Sequence, residues 1–362
     1  MAVSMPEIFI EFKKAATTMS SRSVLGNVVL LMRDATGTKT ITTYKTAAAA
    51  QADAAAYTAI NAQYIQDAFG GGAAKVVTVR MGESIADALA TVKSNALTGW
   101  ITVCDGTAED YTALADWAKV QETLRSGHSQ YYALVHKVDA PNCRHVINLY
   151  TDTVTFADVD RGTCAASAFL PTLAGMIASC GVTRSCTYLV CNTLTAVSEI
   201  AETEQDAALA AGRLFLIVDG ADIRVALGIN SCTDKGIDDD FRYIDIVVAL
   251  DMMYTDIVQI WKDSYCGRYR NTLDNQMLLI AAINSYFHAL AVEGILDGNY
   301  ENVATIDVDT QRTAWITSGK TEAADWTDQQ LMIKTFRRNV YLSGDIRLMG
   351  TMDNIRFSIN LD

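Results

Sequence analysis

Proline is scarce in this chain: Pro6, Pro141 and Pro171 are the three among 362 residues. No Ser/Pro/Gly-rich linker separates its parts either, so domain boundaries have to be read from changes in residue pattern. No uninterrupted apolar run reaches the roughly 18 to 20 residues of a membrane span. The N-terminal MAVSMPEIFIEFKK lacks the basic-then-apolar order of a secretory signal. These two absences predict a protein made and folded in a cytoplasm, with no direct membrane insertion. Positive charge is also in deficit, 29 basic against 42 acidic residues for a net of -13, which argues against nucleic acid or anionic lipid as a partner.

Catalytic signatures are missing too. The four histidines (His128, His136, His145, His288) are dispersed. Neither HExxH nor GxSxG occurs, nor GxxxxGK[ST], nor a GxGxxG between a strand and a helix. The eight cysteines (Cys104, Cys143, Cys164, Cys180, Cys186, Cys191, Cys232, Cys266) form no CxxC pair. They read as small buried apolar residues or spare thiols, with no histidine at ligand spacing. The acidic run Asp238-Asp239-Asp240 follows Lys235-Gly236 and reads as an exposed loop. The expectation is a non-enzyme with no metal and no cofactor; the alternative is a cytoplasmic α/β enzyme without a recognised motif.

What the chain does contain is apolar surface and alternating periodicity. Half its residues are hydrophobic, enough for two packed domains. Over 21–160, strand-like segments (24–32, 75–81, 99–104, 130–138) alternate with helix-like ones (47–69, 83–95, 107–126), an α/β order. Gly70–Gly72 sits between helix and strand as a helix stop. Further on, the pattern predicts a helix over 163–179, a short strand over 187–191 and a helix over 201–211. A hairpin of 213–218 and 222–228 turns at Asp219-Gly220. Two long helices follow, about 242–264 and 272–293, the first with a mostly apolar face interrupted by Asp251.

The two ends are strand-like. Ile8, Ile10 and Phe12 alternate with Glu7, Phe9 and Glu11. Val340, Leu342, Ile346 and Leu348 alternate with polar residues, and after Gly350–Asn354 the alternation resumes in Ile355, Phe357, Ile359 and Leu361. A strand with one apolar face and unpaired backbone groups needs a partner. Pairing within the chain and donation to a neighbour's sheet edge both meet that need.

Four stretches resemble the contractile tail sheath proteins of phages and phage-tail-like bacteriocins, in the compact version from Gram-positive hosts. They are MPEIFIEFKKAATTMSSRSVLGNVVLLMRD (5–34), DGADIRVALGINSCTD (219–234), the helical pair over 243–287, and VYLSGDIRLMGTMDNIRFSINL (340–361). The middle, about 45–215, is similar in its α/β rhythm alone. The resemblance implies a mixed α/β (α+β) two-domain fold. A core domain is formed by the N- and C-terminal parts, an outer domain is inserted, and extended β-strand arms lie at both termini. Applied to this chain it gives an N-terminal linker arm (1–20), an outer α/β domain (21–160), a sheath core domain (161–339), and C-terminal strands with a linker arm (340–362).

The same resemblance implies a structural subunit that polymerises as stacked rings of six around an inner tube and contracts to drive the tube through a cell envelope. It implies as partners the chain itself, the inner tail tube protein, and baseplate and tail terminator proteins. The place of action would be a virion tail or tail-like particle assembled in the bacterial host cytoplasm. Ile8, Ile10, Phe12 on one arm and Ile355, Phe357, Ile359, Leu361 on the other would be inter-subunit links. Two basic clusters are candidates for an acidic tube: Lys334, Arg337, Arg338, and Lys262, Arg268, Arg270. Another phage tail structural protein is the remaining alternative.

Overall fold

A computed structural model describes residues 26–236, 238–353 and 356–357. The N-terminal arm with Ile8, Ile10 and Phe12, and Ile355, Ile359 and Leu361 of the C-terminal arm, lie outside the described residues. The chain forms two compact units, one holding the described residues of 26–181 and 185–248, the other 182–184 and the described residues from 249 onward.

The first unit is built on a six-stranded sheet in the order β2-β3-β1-β4-β5-β6. Its strands are β1 (Asn27–Arg33), β2 (Ile41–Tyr44), β3 (Lys75–Met81), β4 (Gly99–Val103), β5 (Tyr131–His136) and β6 (Val146–Leu149). All neighbours are parallel except the β2 edge. Val28 to Met32 of β1 are fully buried, as expected of a central parallel strand covered on both faces, where an unbroken apolar run replaces alternation.

The covering helices are α1 (Ala47–Ala52), α2 (Ala59–Gly70), α3 (Ala86–Ser94), α4 (Ala108–Leu124) and α5 (Leu170–Cys180). Helix α2 packs on α5, and both touch β1; α4 lies along β5. The α2–α5 contact is made backbone to backbone. A Cβ on Gly175 would stand 2.1 Å from the Ala68 carbonyl oxygen, and one on Gly71 would stand 2.2 Å from that of Thr172. The glycine run after α2 therefore does more than stop a helix. Gly72, at φ +108°, makes the turn, while Gly71 allows the close approach.

Local chemistry explains where the elements depart from periodicity. The Ala-rich 47–69 stretch is not one helix: it breaks at a 3-10 turn (Ala54–Ala56) and restarts where the Thr58 side chain caps the Asn61 N–H. The segment expected as a helix from 163 begins as strand β8 (Thr163–Ala165), and α5 starts only at Leu170 with Pro171 in its first turn, the position proline favours. The expected strand over 187–191 is irregular because Tyr188 adopts φ +57°, although Tyr188 and Cys191 still donate to the Val225 and Ile223 carbonyls.

Strand β7 (Thr153–Phe156) pairs antiparallel with β8 and with β9 (Leu194–Val197). After α6 (Glu202–Ala210), the hairpin of β10 (Leu216–Asp219) and β11 (Asp222–Val225) turns at Gly220, φ +63°. Residues 161–181 and 185–248 thus belong to the same compact unit as the sheet, and the units divide after Val248 rather than at 160/161. Asp238–Asp240 are exposed beside a 3-10 turn.

The division falls within helix α7 (Ile244–Ile260), which passes into a π-helical turn, Trp261–Tyr265. In the second unit, α8 (Leu273–Val292) packs on β12 (Val303–Ile306). Its buried face includes Leu279, Ile283, Phe287 and Leu290. Two short helices, α9 (Val308–Thr317) and α10 (Asp328–Ile333), surround Trp315, Trp326 and Phe336, whose rings pack edge to face. Strand β13 (Leu342–Asp345) pairs antiparallel with β12, and Leu348 bridges to Leu296. No described helix is long and apolar enough to cross a membrane.

Candidate functional sites

In an open parallel sheet, ligands bind beyond the carboxyl ends of the strands where the order reverses, here between β1 and β4. The chain's own carboxylates fill that place. Arg33 donates twice to Asp110, at 2.8 and 2.9 Å, and Asp110 closes a capping box with Thr107 at the start of α4. Asp34 accepts from the Thr58 N–H that opens α2 and from the Asn61 amide, both at 2.8 Å. Both helix N-termini that would hold a phosphate are thus met by internal anions. Burial opposes the charge on Asp34, yet the hydrogen bonds from Asn61, Thr58 and Thr36 prevail and hold its pKa at about 2.

The second unit contains a cleft of about 760 Å³ where the π-helical turn and the residues after it face the turn at 337–340. Arg268, Arg270, Arg337 and Arg338 all line it, together with Trp261, Tyr265 and Tyr269, and none of its lining residues is acidic. The two basic clusters seen in the sequence are one surface. Lys334 and Lys262 are not part of its wall; the Lys334 ammonium lies over the Trp326 ring, 4.6 Å from its centre.

The wall is braced from beneath. Asn271 donates to the carbonyls of Phe336, Arg337 and Asn339, and its own carbonyl oxygens accept from Thr335 Oγ1 at 2.8 Å and from Gln276 Nε2 at 2.7 Å. Arg337 sits at φ +47°, which turns the chain so that Arg337 and Arg338 are both exposed. Four guanidiniums in a net-acidic chain offer paired donors to carboxylates.

The C-terminal segment divides into two parts. Its first half is paired within the chain: besides β13, Tyr341 and Arg347 carbonyls accept from the Asp307 and Asp297 N–H groups, and Met349 N–H donates to Ile295. Among the described residues beyond Met349 none is in a strand. Met352 is wholly exposed and Phe357 is 79% exposed.

Of the eight cysteines, six are buried, Cys164 is half-buried and Cys266 is exposed. One corrects the sequence expectation that no histidine stands at ligand spacing from a cysteine. Cys143 and His145 both reach Glu122 Oε2, the thiol from 2.9 Å and the imidazole Nδ1 from 2.9 Å. A Cys-x-His spacing was the available signal, but Glu122 lies far upstream in sequence, and the fold is what joins the three. Burial works against ionised Glu122, while His145, Cys143 and Arg144 together bring its pKa to about 2; burial pushes the Cys143 thiol upward.

Comparison with known proteins places this geometry. Residues 237–361 match the family described as the phage tail sheath C-terminal domain. The chain is 26% identical over 372 aligned residues to a tail sheath protein of Clostridium phage phiCD119, covering 98% of each. Among solved structures, it aligns with the helical sheath of the anti-feeding prophage in its contracted state at 15% identity, TM-score 0.69, over 100% of both chains. A sheath tail protein from Listeria innocua aligns at 12% identity, TM-score 0.65, over 82% of this chain and 93% of the other.

Proposed function

We infer that this chain is a tail sheath protein, a structural subunit of a contractile tail sheath. The observation that carries the reading is the sequence similarity to a phage tail sheath protein through 98% of both chains, reinforced by the sheath C-terminal domain over 237–361. The protein is a component of a phage tail or tail-like particle and associates with copies of itself.

The working parts are proposed as follows. The segment beyond Met349, with Ile355, Phe357, Ile359 and Leu361, is donated as a strand to a neighbouring subunit, and Ile8, Ile10 and Phe12 do the same at the other end. Supporting this, in-chain pairing is recorded through Met349, and the apolar Met352 and Phe357 beyond it are exposed. Links through two arms per subunit multiply, so a lattice of individually moderate contacts stays connected while subunits move. The sheet unit, centred on β1–β6, serves as the outer domain, and the α7–α10 unit with β12 and β13 as the core.

The arginine cleft is proposed to face the inner tube protein. Lys334 flanks it, and Arg337 and Arg338 stand on its rim. Exposed ion pairs contribute little each, about 0–1 kcal/mol, which suits a tube that is held before firing and released afterwards. Rings of six, contact with baseplate and tail terminator proteins, assembly in the host cytoplasm and the absence of any catalysed reaction complete the proposal. Negative-stain microscopy of the purified full-length protein is the test. Striated cylinders are expected; small uniform particles at every concentration would overturn it.

A further inference from the structure

We propose that Glu122, Cys143 and His145 form a binding site for a divalent metal ion of zinc type, tying the end of α4 to the entry of β6. The three donor atoms, a thiol sulfur, an imidazole nitrogen and a carboxylate oxygen, lie within 4.8 Å of one another. Around a four-coordinate zinc with ligands at roughly 2.0–2.3 Å, donors stand about 3.3–3.8 Å apart. The 2.9 Å separations from Glu122 Oε2 to the other two are shorter than that, so withdrawal of the Glu122 side chain opens room for an ion between donors that all lie within 4.8 Å.

The frame is rigid where a site needs it. Ser231 bonds the N–H and the carbonyl of Cys143, at 3.3 and 3.0 Å, and the His145 carbonyl accepts from Ala133 N–H at 2.8 Å. Arg144 donates to Glu122 Oε1 at 3.2 Å and to the Gly127 carbonyl. That contact occupies one carboxylate oxygen and leaves Oε2 facing the thiol and imidazole, an outer-shell orientation of the kind that fixes a ligand. His145 is fully buried and Cys143 nearly so, while the Glu122 side chain is 17% exposed and gives the ion a way in.

The donor set selects the metal. Thiolate and imidazole favour zinc and its borderline neighbours over magnesium or calcium, which take oxygen ligands. Three protein donors leave the fourth position to a water molecule. Binding displaces the Cys143 thiol proton to solvent, Glu122 binds as the carboxylate, and His145 binds as the neutral imidazole through Nδ1 with its proton on Nε2; no electron moves.

The test uses the full-length chain equilibrated with Zn²⁺ or Co²⁺ and freed of excess. About one tightly held ion per chain is expected, and the Co²⁺ form should show thiolate charge-transfer absorption in the near ultraviolet. Cys143→Ser should abolish that band and weaken Zn²⁺ binding at least about tenfold, while Cys266→Ser, at the exposed thiol, should leave both unchanged. If Cys143→Ser fails to fold by circular dichroism, Glu122→Gln, which keeps the side-chain volume, must show the same tenfold weakening. Absence of the band, or metal retention indifferent to these two changes, overturns the site and leaves a hydrogen-bonded cluster.

Discussion

The side-chain amide of Asn271 lies 3.0 Å from the carbonyl oxygen of Asn339 and within 3.4 Å of those of Phe336 and Arg337. One side chain thereby holds the turn that presents Arg337 and Arg338. It also accepts from Gln276, which is 2% exposed. Asn271→Ala would loosen the turn and strand the Gln276 amide, at a cost of about 1–3 kcal/mol. Urea denaturation should show this loss, and amide exchange should quicken over 336–340. Unchanged exchange there would mean that Asn271 does not brace the cleft.

The crossing of α2 and α5 makes a second prediction. With backbone oxygens 2.1 and 2.2 Å from the positions that a Cβ would take, Gly175→Ala and Gly71→Ala must push the helices apart. Each should lower stability by about 1–3 kcal/mol, the range for forcing extra volume into a packed interior. Because both act on one contact, the double substitution should cost less than the sum. Thermal unfolding of the three variants checks both statements.

These two sites show what periodicity can and cannot reveal. The buried strands β1 and β3, the paired long helices and the Asp219-Gly220 hairpin were legible because their signals are local. Strands β2, β6, β7 and β9 were not, since each is four residues long, too short for a period to stand out from its surroundings, and takes its shape from the partner strand. The basic surface was legible as two clusters, Arg268 with Arg270 and Arg337 with Arg338, but their union depends on a fold that brings distant segments together. The same holds for Glu122 with Cys143 and His145. The division at Val248 left no mark because it falls inside an uninterrupted helix.

Acid should weaken the first unit through Asp34. Its folded pKa of about 2 lies below the usual 3.8, so its contribution is complete above about pH 3.8 and is lost as pH falls through 2. Asp34 is only half-buried, and solvent screening reduces its contribution to about 1 kcal/mol. Denaturation midpoints between pH 5 and pH 2 should fall more steeply for the native chain than for Asp34→Asn. Parallel slopes would show that the Thr58 and Asn61 contacts are not charge-dependent.

The arms can be separated from the fold. Deleting 354–362 removes no strand contact recorded for the described residues, so the truncated subunit should remain folded and soluble while failing to polymerise. Deletion of 1–12 should do the same. Sedimentation velocity distinguishes a monodisperse small species from cylinders, and circular dichroism reports folding. Loss of folding in either truncation would place the pairing within the chain and remove the arms from assembly.

Tube docking can in turn be separated from polymerisation. Arg337→Glu with Arg338→Glu reverses two charges, a change of four units, on the exposed rim of the cleft, while the Arg337 backbone carbonyl that Asn271 holds and the β12–β13 pair are kept, so the subunit should fold and still form sheath cylinders. What should fail is co-assembly with an acidic tube. In the native case, weak pairs of about 0–1 kcal/mol each are repeated along every ring, and their sum should fade with added salt as exposed charges are screened over about 8–10 Å. Co-sedimentation with tube protein should therefore fall as salt rises for the native chain and be absent at all salt concentrations for the variant. Retention of the tube by the double variant would show that the arginine cleft faces something else.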